Sequence, residues 1–236
     1  MAKRVAVLQS NYIPWKGYFD IIHDVDEFIF YDDLQYTKND WRNRNRIKTA
    51  HGVAWLTIPV GMRTQRRMCD VELPRSDWAD QHWRRLEAAY AAAPFFRQYR
   101  AALEPLFHDP ALRLLSDLNQ ALIRTIAHDL LRIPTLFRDS REFQIEGTKQ
   151  DRLLDLLQQA QAEVYVSGPA ARAYLDPQRF TDSGIALRWK DYSGYAEYPQ
   201  LHPPFEHAVT ILDLLFHLGD EAPAYIWGWR NESAHE

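Results

Sequence analysis

Short apolar runs and helix-period stripes alternate along the chain. Val5-Ala6-Val7-Leu8 is apolar and stops at Gln9-Ser10-Asn11. Pro14 suits a first helical turn, so Trp15 to His23 reads as a helix with Tyr18, Phe19, Ile21 and Ile22 supplying its apolar contacts. Phe28-Ile29-Phe30-Tyr31 is a second buried-strand candidate, ending at Asp32-Asp33. Strand, polar turn, helix and strand in succession predict a βαβ unit.

A period of two follows. Arg42, Arg44, Arg46 and Lys48 alternate with Asn43, Asn45 and Ile47, the pattern of a strand with one cationic face. Residues 53–60 read as its hairpin partner across His51-Gly52, and Pro59 keeps that partner near a sheet edge. Met68 to Leu73 suggests another short strand. From Ser76, a plausible N-cap, the period becomes helical to about Ala92, with Trp78, His82, Leu86 and Tyr90 four apart. Pro94 breaks this helix, Phe95 to Phe107 forms the next, and Ser116 caps a third carrying Leu118, Leu122, Ile126 and Leu130. Residues 134–137, 164–166 and 185–189 are strand candidates. Thr148 starts one later helix, and His207 to His217 forms another. Gly219 to Glu236 is too short and polar to be a further domain. The pattern predicts an α/β fold: one compact domain over 1–236, a mostly parallel sheet flanked by helices, and a β-hairpin insertion at about 40–75.

Composition narrows the classes. With 46% hydrophobic residues among 236, the chain can build a core and is neither disordered nor collagen-like. No run approaches the ~18 apolar residues of a membrane span, and the apolar stretch at the start is too short for a secretory signal. A single cysteine, Cys69, excludes an intramolecular disulfide and a cysteine-based zinc site, so a reducing cytoplasm is the default. The net charge of −4 lacks the basic excess of a general nucleic-acid binder, despite a local basic ribbon.

Residues 9–19 (Gln-Ser-Asn-Tyr-Ile-Pro-Trp-Lys-Gly-Tyr-Phe) resemble the opening motif of the WbqC-like proteins. So do residues 31–38 (Tyr-Asp-Asp-Leu-Gln-Tyr-Thr-Lys), 41–47 (Trp-Arg-Asn-Arg-Asn-Arg-Ile) and 55–60 (Trp-Leu-Thr-Ile-Pro-Val). Trp78 with His82 and Tyr90, residues 115–119, Lys149 with Arg152, residues 165–170 and residues 211–216 extend the likeness over nearly the whole chain. The resemblance implies an association with O-antigen and surface-polysaccharide gene clusters, and a glycine- or acyl-transferase role. It hands over no mechanism, so function is argued from the site.

Four constellations could carry chemistry. Asp32-Asp33 ends a strand, where open α/β sheets bind ligands. Adjacent strand residues face opposite ways, and Asp33, sharing its face with Gln35, is the expected base. A solvated strand end is the plainer reading. The ribbon of Lys38, Arg42, Arg44, Arg46 and Lys48 suits an anion clamp, since arginine forks hold phosphate or carboxylate bidentately. Asn43 and Arg44 are its expected contacts, against the alternative of a solvated hairpin edge. Gln9, Asn11 and Tyr12 follow the first strand just before a helix N-terminus, a natural anion or carbonyl site. His82 points inward on its stripe, which reads either as a core histidine or as a neutral base. Lys149 could hold a second anion, and Ser167-Gly168-Pro169 reads as a ligand-binding turn rather than a nucleophile. The histidines show no metal-ligand spacing, so no metal is expected.

The leading expectation is transfer of an acyl or aminoacyl group to an amine of an amino-sugar, with Asp33 and His82 as catalytic candidates and no covalent nucleophile. Such a transfer implies an activated donor such as a phosphopantetheine thioester, with an acyl-carrier protein as partner and no nucleic acid or membrane. The competing expectation is a non-catalytic binder of anionic sugars or nucleotide-sugars.

Overall fold

In the computed structural model, which describes residues 2–228 and 230, Arg4–Leu8 forms β1 and Lys16–His23 forms α1. Glu27–Phe30 (β2) then pairs parallel to β1, which completes the βαβ unit. β1 is buried on both sides and alternates strictly. Val5 and Val7 join one core, with Ile29 and Tyr31, while Ala6 joins the other, with Phe28 and Phe30.

Leu136–Asp139 (β5) extends the sheet beyond β2. The chain then returns through Lys149–Gln159 (α5) to Val164–Ser167 (β6) on the opposite side of β1. Pro177–Asp182 (α6) leads to the outermost strand, Ala186–Trp189 (β7). The parallel order is therefore β5-β2-β1-β6-β7. Leu153, Leu154, Leu156 and Leu157 of α5 and Phe180 of α6 cover one face of the sheet. The other face is covered by α1, Trp78–Tyr90 (α2), Phe96–Phe107 (α3), Leu115–Arg124 (α4) and Ile211–Leu218 (α7). Strand order reverses between β1 and β6, so the crevice beyond their carboxyl ends is the natural ligand position.

The hairpin, Arg44–Thr49 (β3) with Gly52–Thr57 (β4), stands apart as a two-stranded antiparallel sheet. Four local expectations are corrected. Arg42 lies before β3 and turns toward Gln9, so the cationic row on the strand starts at Arg44. Met68–Asp70 is a 3-10 turn rather than a strand, and the nearby pairing reduces to isolated bridges, Gln35 with Arg67 and Glu72 with Leu114. Asp77 rather than Ser76 precedes α2, and Ser116 is buried inside α4 with its Oγ unpartnered rather than capping it. Beyond α7, Gly219–Tyr225 is a 3-10 turn, and residues 229 and 231–236 of the terminal stretch lie outside the described residues. No helix among the described residues is long and apolar enough to cross a membrane.

Candidate functional site

The turn leaving β1 is stitched to the hairpin by amides. Tyr12 N donates to Trp41 O at 2.9 Å. Asn45 Nδ2 donates to Tyr12 O and Ile13 O at 3.1 and 2.8 Å, and Asn119 Nδ2 to Arg42 O and Ser10 O at 2.8 and 3.3 Å. These bonds hold Ile13, fully buried and β-branched, at φ 35°, in the left-handed region. Such a residue stores ~1–3 kcal/mol of strain and persists only where its surroundings over-determine it, as they do at binding sites. The start of α7 is tied in too, with Ile211 N donating to Pro14 O and Thr210 N to Arg46 O.

These bonds frame a cavity of about 320 Å³, lined by Asn11, Pro14, Trp15, Trp41, Asn45 and Ala208. Two indoles and a proline supply apolar walls. Asn11 Oδ1 is buried in this lining without a hydrogen-bond partner. Buried polar atoms are almost always satisfied, so an unpartnered acceptor on a residue that lines an aromatic-walled cavity is a candidate contact for a ligand N–H or O–H that reaches it. The dimensions and composition suit one flat-faced ring.

Outside the cavity, the same Trp41 continues onto the outer face of the hairpin. Trp41 and Trp55 are 40% and 39% exposed with ring centroids 5.5 Å apart. Arg44 stacks on Trp55 at 4.2 Å and spends Nη2 on Asn39 O at 2.5 Å. Its fork is held in place by the protein itself. Lys48 is buried and donates to Pro204 O. Asn43 is buried and donates to Ile58 O. Lys38 is exposed in the preceding turn.

Over the ends of β2 and β5 the picture is different. Asp32 is fully buried, accepts from Ser10 N (2.8 Å) and Gln120 Nε2 (2.9 Å), and has its pKa raised by burial. Gln120 Nε2 also donates to Asp139, which is further paired with Arg141. Asp33 accepts from Ser140 Oγ at 2.5 Å and is ion-paired with Arg152. Gln9 Oε1 accepts from Arg42 Nε at 3.0 Å, while its amide reaches Gln35 O. In this half of the carboxyl edge both aspartates are held by protein partners, while the hydroxyls of Ser10 and Tyr31 have none.

The motif segments that build both halves also identify the protein. A profile of the WbqC-like protein family matches residues 9–225. The chain belongs to the WbqC-like protein family. It is also similar to a Mycobacterium tuberculosis (strain H37Rv) protein, 48% identical over 226 residues, which span 95% of this chain and 97% of that one. That relative is named only "Uncharacterized protein Rv1507c". No solved structure matches the chain.

Within this WbqC-like framework the two expected bases both have protein partners. Asp33 accepts from Ser140 and pairs with Arg152, which ties α5 to the end of β2. His82 is buried with both ring nitrogens engaged. Nε2 lies 3.1 Å from Thr57 O, which only accepts, so Nε2 carries the proton and Nδ1 accepts from Tyr12 OH at 2.8 Å. Tyr12 is thereby a core residue as well. Ser167 is buried at the end of β6, and Lys149 is exposed at the start of α5, away from the cavity lining. Among the predicted site residues, the cavity gathers only Asn11. Trp15, Trp41 and Asn45 join it unforeseen, although all three lie in motif segments. Lys16, next to Trp15, packs its Nζ 4.9 and 5.3 Å from the rings of Tyr195 and Tyr198, and burial brings its pKa down to about 8.

The His82 contact has a pH signature. Burial pulls its pKa from 6.5 to about 4. Below pH 6.5 the unfolded chain takes up the proton while the folded one refuses it, so stability falls as pH drops from 6.5 toward 4. Between pH 7 and 5 this contributes a loss of about 2 kcal/mol. Denaturant titrations of the wild type and His82→Gln at both pH values check it. The variant, which can keep both hydrogen bonds but cannot titrate, loses that much less on acidification; an equal loss in both proteins rules the assignment out.

Proposed function

We propose that the protein transfers an acyl or aminoacyl group from an activated thioester to the amine of an amino-sugar, in the manufacture of a surface polysaccharide or related metabolite. The observation that carries this reading is the cavity beyond β1, with indole walls for a sugar ring and the open Asn11 Oδ1 as acceptor for an amine N–H. Indole faces pack well on the C–H face of a pyranose, and a fixed acceptor turns the nitrogen lone pair toward an incoming carbonyl. The amide C–N bond forms, the thioester C–S bond breaks, and the amine proton leaves with the released thiolate. The chemistry needs no protein nucleophile. Likeness to WbqC-like proteins of surface-polysaccharide clusters supports the choice of a sugar acceptor.

A second reading, a sugar binder without chemistry, is favoured by one observation: Asp33 and His82 are both occupied by protein partners. One experiment separates the two. Purified protein is incubated with glycyl-phosphopantetheine carrier protein or acyl-CoA and a panel of amino-sugars, while calorimetry follows binding of each sugar alone. Transfer predicts a mass gain on an amino-sugar that also binds. Binding with no mass gain, using donors proven competent elsewhere, leaves the binder reading, and no binding at all removes both.

A further inference from the structure

Arg46 stands out among the cations of the hairpin. Its guanidinium lies 5.9 Å from the ring centroids of both Trp41 and Trp55. Its Nε is buried without a hydrogen-bond partner, and its guanidinium meets no acceptor or carboxylate among the described residues. The neighbours in the row each have a partner: Arg42 has Gln9 and Asp40, Lys48 has Pro204, and Arg44 places Nη2 on Asn39 O although its own Nε is also unpartnered. The Arg46 backbone is fixed at both ends of the residue, with its N–H donating to Asn45 Oδ1 and its carbonyl accepting from Thr210 N, both at 2.8 Å. A guanidinium on a pinned strand, with indoles beside it and its Nη groups unused, is prepared for an oxyanion that presents two oxygens. Trp41 is shared between this guanidinium and the cavity wall, so one ligand can span the two.

We infer that Arg46 binds a phosphate attached to the sugar that occupies the cavity, so the acceptor is a phosphorylated amino-sugar and not a free one. This rests on the cavity reading given above. The phosphate is either the sugar's own or part of a nucleoside diphosphate, and both present the same oxygens to the guanidinium. The cavity holds the ring, Asn11 the amine, and Arg46 the phosphate at the outer side of Trp41.

The test is calorimetry with glucosamine, glucosamine 1-phosphate, uridine-diphosphate glucosamine and inorganic phosphate. The wild type binds at least one phosphorylated sugar tenfold or more tighter than glucosamine. Arg46→Gln and Arg46→Lys lose most of that preference while glucosamine binding is unchanged, and Arg63→Gln, at an exposed position, retains it. Raising salt weakens only the phosphorylated ligands. A preference confined to the uridine compound assigns the phosphate to a nucleotide; equal preference for both assigns it to the sugar. Glucosamine binding with no gain from phosphate, or a gain that survives in Arg46→Gln, overturns the inference and leaves the cavity reading standing. Binding by none of the sugars overturns both. Circular dichroism and denaturant midpoints confirm that the variants fold.

Discussion

Asp20→Ala lowers the unfolding free energy by about 3–5 kcal/mol, the cost of breaking a buried ion-pair network from one side. Asp20 is fully buried in the middle of α1. Its carboxylate accepts from Tyr195 OH at 2.5 Å, pairs with Lys190 at 2.8 Å, and receives both Nη1 and Nη2 of Arg230 at 2.8 and 2.5 Å. Removing it leaves the Lys190 ammonium, 3% exposed, with Asp24 as its remaining carboxylate. The half-buried Tyr195 phenol loses its acceptor, and Arg230 loses its two short contacts to Asp20 while keeping Asp24 at 3.9 Å. Asp20→Asn keeps the shape and one acceptor, so its loss is smaller. Urea titrations measure both, and a loss below 1 kcal/mol for the alanine variant shows that the cluster adds little to stability.

Trp41→Ala weakens amino-sugar binding by at least 2 kcal/mol, or about thirtyfold, the effect of deleting a central aromatic anchor. Trp41 forms a cavity wall, packs against Trp55, and lies beside Arg46. It is 40% exposed, so its removal costs little folding free energy and the loss reads on binding. Trp41→Phe restores a flat apolar face and recovers part of the affinity. Calorimetry on the three proteins checks the order, and unchanged affinity in Trp41→Ala moves the ring elsewhere.

Much of the fold is legible along the chain because it rests on local periodicity. β1, β2 and β6 announce themselves as short apolar runs between turns, and the stripe of Trp78, His82, Leu86 and Tyr90 is buried as its spacing predicts. What is not legible depends on partners far away in sequence. Met68–Leu73 has the composition of a strand, but only isolated bridges are formed there. The buried Asp20 looks like a polar interruption of a helix until Lys190 and Arg230 arrive from the other end of the chain.

The site divides in the same way. That Asn11 lies in the turn after β1, on the cavity lining, follows from the apolar run and the polar residues behind it. The partners of Asp33 and His82 do not follow, because each is a group remote in sequence, Arg152 for the first and Tyr12 for the second. Asn45 reads as one more polar residue in a basic ribbon. In the fold it holds Ile13 in its left-handed conformation and lines the cavity. Alternation on β3 alone makes Arg44 and Arg46 equivalent; the Asn39 carbonyl and the close stacking on Trp55 separate Arg44 from Arg46.

The most direct test is a crystal structure of the protein with a phosphorylated amino-sugar bound. In that structure the ring lies between Trp15 and Trp41, its amine within hydrogen-bond distance of Asn11 Oδ1, and its phosphate on Arg46. A ligand seated instead against Asp33 and Arg152, or in the larger groove between residues 72–80 and 106–118, contradicts that placement.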